Sequence, residues 1–376
     1  MAPFLSTRAS FLRDPSGPAT AFRSQWTTPG DVFSVLLLLG GDVVGRALAQ
    51  LTGSGLAPVA FSFGWVAYSI SALVSAVGEN KLMPLDPDCR CKIIDVKNAY
   101  ARENSSWVLG RITRDFGLWR HPDVQEKLDQ VLDKRWEQLK QKDPAANRPP
   151  IAGLIVSVYE PSRDIEAGTV CRDFVYRIGL LVIALQLGIA AIPCGLFGDW
   201  GILLWKREKW ACRRQARHSY VLTRGNGSQH AIVVMGNGHG FNLEDLATGQ
   251  GNIMVATNTS TRLALLCLAA LWIMLLLTAA GLKQNTWFLV AVGGIGILQN
   301  IYVAGAPRRP ETFGLILDFK KVFGKPSVME TLLEVESEYE NVGLALRHEF
   351  FPGSLGKEDE VRWGNCLRGS KKEAGG

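Results

Sequence analysis

The feature that most constrains this chain is a pair of apolar runs between Leu263 and Gly305. LALLCLAALWIMLLLTAAGL is followed by the polar turn KQNT and then by WFLVAVGGIGILQNIYVAG. At ~1.5 Å rise per residue, a helix over the first run reaches across the ~30 Å hydrocarbon core of a bilayer, and the second run is nearly as long. Soluble core helices rarely extend this far without a charge. The pair therefore reads as a transmembrane helical hairpin.

Two earlier apolar blocks extend that expectation. The first has two parts, Val32 to Gly53 and Leu56 to Val77, separated by little more than Ser54-Gly55. LAPVAFSFGWVAYSISALVSAV, the second part, carries no charge and reads as a complete span, with Gly64, Ser69 and Ala72 small enough for close helix contact. GGDVVGRALAQL, in the first part, holds Asp42 and Arg46 at helical i, i+4 spacing. Each charge would cost about 2.5–3.5 kcal/mol at the centre of a lone spanning helix, but on one face the two can neutralise each other. Such a pair marks a lock between helices or a site lined by water or substrate. The next block, Ile178 to Phe197, also reads as a span. After the turn Gly198-Asp199-Trp200 a return helix begins with GILLW and stops at Lys206, too short to recross a bilayer.

Between these blocks lie water-facing segments. HPDVQEKLDQVLDKRWEQLKQKD places Val124, Leu128, Val131, Leu132, Trp136 and Leu139 on one helical face, as for a helix packed on a small domain or on a membrane surface. IAGLIVSVY, Ile151 to Tyr159, reads as a buried strand. Alternating apolar residues around Asn226-Gly227 predict a β-hairpin with a type I′ turn. Gly236-Asn237-Gly238-His239-Gly240 lacks both GxGxxG spacing and a P-loop lysine, and reads as a plain turn. VMETLLEVESEYENVGLALRHEFF supplies a further amphipathic stretch near the end.

The predicted fold class is therefore an α-helical multi-pass membrane protein, with about 5–6 transmembrane helices in hairpins and small α+β cytosolic segments. Its parts run as a disordered basic tail at 1–31, a transmembrane hairpin at 32–78, a soluble α+β loop domain at 79–177 and a helix with a truncated return at 178–205. A basic loop with a β-hairpin at 206–262, the hairpin at 263–305 and a tail at 306–376 complete it. Lys206, Arg207, Lys209, Arg213, Arg214 and Arg217 place that loop, the other large loop and both termini on the cytosolic side, by the rule that basic residues flanking spans stay inside. The sequons at Asn104, Asn226 and Asn258 then stay unglycosylated. Seven scattered cysteines suggest no disulfide framework and suit a reducing face.

GGDVVGRALAQL, AVGENKLMP, AIPCGLFGDWGILL, KREKWACRR, LTRGNGSQHAIVV and AAGLKQNTWFLVAVGGIGILQN together resemble a fungal family of uncharacterised multi-pass integral membrane proteins, over most of the chain from Thr28 to about Gly353. The resemblance implies an endomembrane protein and brings no catalytic residues. The chain departs from it at GILLW-KREKW, where family members carry a complete return helix.

Three functional classes follow. One is a membrane scaffold or accessory protein of the endoplasmic reticulum or another endomembrane. Another is a membrane enzyme on a lipid-soluble substrate, such as an isoprenoid (terpene) cyclase of secondary metabolism. Its candidate catalytic residues are Asp42, Glu79 and Asp199, carboxyls within or at the ends of spans where low dielectric favours the protonated donor. The remaining class is a transporter subunit, for which Gln186, Gln299 and Asn300 offer polar lining. Partners are the lipid bilayer and, beyond it, other membrane proteins or a lipophilic small molecule. No nucleic-acid motif is present, no cofactor is implied, and Cys89-Arg90-Cys91 has no downstream ligand pair to complete a metal site.

Overall fold

The computed structural model describes residues 30–52, 57–78, 89–197, 217–248, 259–281, 286–353 and 355–373. Its centre is a six-stranded mixed sheet drawn from three separated stretches of sequence, in the order β2-β1-β4-β5-β3-β6. β1 (Lys92–Asp95), β2 (Ala101–Glu103) and β3 (Leu154–Pro161) come from the first stretch, β4 (Tyr220–Thr223) and β5 (His230–Val234) from the second, and β6 (Leu317–Lys325) from the last. β3 and β5 are parallel, pairing Val156 with Ala231 and Val158 with Val233, and the other neighbours are antiparallel.

Both faces of this sheet are covered, which explains its apolar strands. Period-two alternation sends Ile93, Ile155, Tyr159, Leu222 and Ile232 to one face and Ile94, Val156, Val158, Val221 and Val233 to the other. The first face packs against α3 (Trp107–Arg114), α4 (Phe116–Trp119) and α5 (Pro122–Lys142), burying the Val124, Leu128, Val131 and Leu132 stripe expected of α5. The short α7 (Leu243–Thr248) closes its end. The second face packs against α10 (Val328–Glu338) and α11 (Val342–Phe350), into which α12 (Lys357–Glu373) inserts Trp363. The hairpin around Asn226 forms, with a different turn. Gly227 has φ +86 and Ser228 N–H donates to Gly225 O, whereas Asn226 does not take the positive φ a type I′ turn requires.

The apolar helices form a second layer of structure against one end of this sandwich. α1 (Gly30–Gln50), α2 (Gly64–Gly78), α6 (Phe174–Phe197), α8 (Thr259–Gly281) and α9 (Thr286–Gly305) pack on one another. Gly40 and Gly64 let α1 and α2 approach backbone to backbone, since a Cβ on Gly64 would sit 2.3 Å from the Gly40 carbonyl carbon.

This arrangement overturns the multi-pass fold class. A six-stranded sheet with two hydrophobic cores is the organising element, not a small appendage to spans. Among the described residues one helix, Trp287–Gly305, is long and apolar enough to cross a membrane, while the apolar stretches Gly64–Ser75, Phe174–Ile189 and Leu263–Met274 are shorter. The run Leu56 to Val77, expected as a full span, is helical only from Gly64. Residues 57–62 are not helical, and the ~22 Å of helix left falls short of a ~30 Å core.

Candidate functional site

Three helix ends meet the sandwich in one plane, where the chain concentrates its buried charge. α1 and α9 present C-terminal carbonyls there, and α6 presents its N-terminus. These orphan groups need partners of opposite sign. Arg308, just beyond α9, ties two of these ends together. Its guanidinium holds Asp173 with two bonds of 2.8 Å, donates to the Gln50 carbonyl at the end of α1, and is 2% exposed. Asp173 in turn caps α6, accepting from Tyr176 N–H at 3.0 Å. The backbone N–H of Arg308 donates to Asp115 at 3.1 Å, and Asp115 pairs with Arg114 at 2.6 Å. Arg111, lying over the Trp107 ring, donates to Ala304 O. Gln50 completes the latch, with Nε2 on Ala306 O at 2.7 Å and Oε1 accepting from Trp107 Nε1 at 3.3 Å.

A second polar constellation lies inside the helices. Backbone 57–62 is not helical and lies against α6 and α9, so its peptide groups lack the ladder of a helix. Gln186 accepts from Phe61 N–H at 3.0 Å and donates to Phe61 O at 2.8 Å. Gln299 accepts from Ala60 N–H, and Asn300 donates to Ala60 O and Ser62 Oγ. Gly296 makes room, because a Cβ there would lie 1.5 Å from Phe61 O. Gln299 Nε2 and Asn300 Oδ1 remain buried without a hydrogen-bond partner among the described residues. Phe61 and Trp65 each stack on Trp272, with centroids 5.5 and 5.9 Å apart.

The sequence-derived candidates fall elsewhere. Asp42 and Arg46 do pair, at 3.0 Å, but on an outer face of α1 with the Asp42 side chain 72% exposed. Glu79 and Asp199 lie outside the described residues, as do the truncated return helix and the basic cluster from Lys206 to Arg214. Cys91 is buried, and burial pushes its thiol up to about 11, while the Cys89 thiol donates to the Arg90 carbonyl. The 236–240 loop uses its polar groups internally. Asn237 donates to Pro161 O and accepts from His239 N–H, and Asn242 caps α7 through Glu244 and Asp245 N–H. Beside it, at the carboxyl ends of parallel β3 and β5, a cavity of about 20 Å³ is lined by Pro161, Val234, Phe241 and Leu317, among others. That is roughly the room of one water molecule.

Gln186, Gln299 and Asn300, read as polar lining, are brought together by the fold, where they bind backbone. The latch residues Gln50, Trp107, Arg111, Asp173 and Arg308 were not singled out. Their signal was positional, since Asp173 stands just before one apolar run and Arg308 just after another. No protein-family model, curated protein or solved structure matches the chain.

Proposed function

We propose that the protein is a non-enzymatic accessory or scaffold protein of an endomembrane such as the endoplasmic reticulum, anchored by α9, with the sandwich displayed on the cytosolic side as a docking module. The observation that carries this reading is the inverted pattern of the helices. Only 33% of the Trp287–Gly305 helix is buried inside the protein. Leu263, Leu266, Leu277, Leu298 and Ile301 point outward, while glycines and amides face inward. A water-facing protein rarely leaves so many large apolar side chains on adjoining helices. Trp287, exposed in the first turn of α9, stands where an aromatic side chain sits at a bilayer border. Arg111, Arg114, Arg308 and Arg309 gather at one end, which supports a cytosolic sandwich.

Alkaline carbonate extraction of membranes, combined with glycan analysis, tests both halves. The expected result is retention in the pellet and no glycan at Asn226, whose side chain is exposed in the β4–β5 turn. Release by carbonate would overturn the anchor. A glycosidase-sensitive mass shift lost in Asn226→Gln would overturn the sidedness.

A second reading, capture of a lipophilic alcohol, is favoured by Gln299 Nε2 and Asn300 Oδ1. A hydroxyl both accepts and donates, and so matches this orphan donor and acceptor. Lipid extracted from purified wild-type protein and absent from Asn300→Leu supports it; identical extracts exclude it.

A further inference from the structure

We infer that the latch plane carries a binding surface for anionic phospholipid headgroups, formed by Arg172, Arg177 and Arg309; the inference rests on the membrane-anchored reading above. The three side chains are exposed, and none has a carboxylate partner among the described residues. Arg172 precedes Asp173 and Arg309 follows Arg308, so the 2.8 Å ion pair between Asp173 and Arg308 holds together the two backbone segments that carry Arg172 and Arg309. A backbone bond from Cys171 N–H to Glu311 O at 3.1 Å closes the same strap. Arg177 lies one turn into α6.

The buried and exposed arginines of this plane do different things. Arg308 is consumed by Asp173 and the Gln50 carbonyl. Arg114 is consumed by Asp115. Arg172 lies over the face of Tyr176, 5.5 Å from the ring centroid, and Arg177 opposes the dipole of its own helix. Beyond its cap Asp173, whose carboxylate is held by Arg308, the first turn of α6 has no acidic residue, and a cation near a helix N-terminus faces the positive end of the macrodipole. Helix stability therefore gives little reason for Arg177, whereas an external anion does.

The surroundings identify that anion. Phe174 is 68% exposed and Leu181 65% exposed on α6, and Leu298, Ile301 and Tyr302 are exposed on α9. Free cations thus border apolar side chains at the level where both helices leave the sandwich. Acyl chains against the leucines place a phosphate or serine headgroup beside the guanidinium groups. Arginine binds such oxygens with two parallel N–H donors. A free phosphate ion would use the cations and leave the apolar border without a role.

The test uses the full chain purified in a neutral detergent and titrated with short-chain phosphatidylserine, short-chain phosphatidylcholine or inorganic phosphate. The readout is the thermal unfolding midpoint. Phosphatidylserine should raise the midpoint in a salt-sensitive manner, with little response to the other two. In the triple variant Arg172→Gln/Arg177→Gln/Arg309→Gln, the apparent affinity for phosphatidylserine should fall by roughly one to two orders of magnitude, from about fivefold per basic residue near an anionic surface. The same variant should remain carbonate-resistant in membranes. Equal response to phosphatidylcholine, equal response to inorganic phosphate, or undiminished response in the triple variant each overturns the headgroup surface. Release of wild-type protein by carbonate instead overturns the anchor beneath it, so the two failures are told apart.

Discussion

Replacing Arg308 by methionine removes the group that ties α1, α6 and the end of α9 to the sandwich, and its cost can be worked from the geometry. The change deletes two charge-assisted bonds to Asp173 and one to Gln50 O, while the bond from the Arg308 backbone to Asp115 survives. Breaking a buried pair by removing one partner costs about 3–5 kcal/mol. Asp173 is 23% exposed and keeps its bond from Tyr176 N–H, which places the expected loss near the low end, about 3 kcal/mol. Arg308→Met/Asp173→Asn removes the stranded charge as well, and should recover about half of that loss as coupling energy. The assay is unfolding in detergent followed by tryptophan fluorescence, to which Trp107 reports directly because its Nε1 bonds Gln50 within the latch. A loss below about 1 kcal/mol for the single variant, or strict additivity in the double variant, would refute the latch as an energetic element.

Three further outcomes follow from the same structure. Burial lowers the His230 imidazole to about 4, from its ordinary 6.5, so it folds neutral beside Phe116. Stability from this group is complete above pH 6.5 and declines as pH falls toward 4, by on the order of 2–3 kcal/mol, and urea unfolding should show that slope in wild type but not in His230→Phe. Glu336 is shifted the other way, its carboxyl raised by burial although it accepts from Asn341 and Leu344 N–H. Its contribution should fall as pH rises from its unfolded toward its raised folded value, and Glu336→Gln should remove that opposite slope in the same titration. Gly296→Ala should cost about 3 kcal/mol or more by driving a Cβ into Phe61 O, whereas Gly294→Ala, with nothing within 4 Å, should leave the melting temperature unchanged or slightly raised.

What could be read from the sequence was whatever local periodicity decides. The α5 stripe of Val124, Leu128, Val131 and Leu132 packs as its spacing predicts, and β3 lies within two or three residues of the expected strand. The hairpin at Asn226 was legible from its flanking alternation, but its turn was not, since Gly225 and Gly227 share the positive φ expected of Asn226 and Gly227. Non-local decisions were invisible. APVAFS has the composition of a spanning helix apart from Pro58. It is held out of helix by Gln186, 125 positions from Phe61, and by Asn300, 240 positions from Ala60. KIID was too short to signal a strand, yet pairing with both β2 and β4 makes it the second strand of the sheet. The ion pair at Asp42 and Arg46 was legible from its spacing, but the latch was not, because Asp173 and Arg308 stand 135 positions apart.

The two halves of the molecule are held by different forces, and the latch follows from that difference. In the sandwich, Ile155, Val156 and Val158 on β3 are fully buried, so the hydrophobic effect closes both faces. Among the helices many large apolar side chains face out, and the described interior is smaller, with Ala47, Leu51, Val59 and Val303 in one cluster and Phe63, Val66 and Leu265 also buried. Hydrophobic burial therefore contributes less cohesion between these helices than it does within the sandwich. Close backbone contact at Gly40 and Gly64 and amide bonds to residues 60–62 do that work. Neither mechanism reaches across to the sheet. A junction between a sheet closed by water exclusion and helices joined by close backbone contact and amide bonds needs directional bonds of its own. Charge-assisted bonds from arginine to helix-terminal carbonyls and carboxylates meet that need, because they satisfy groups the helix ends expose whatever surrounds them.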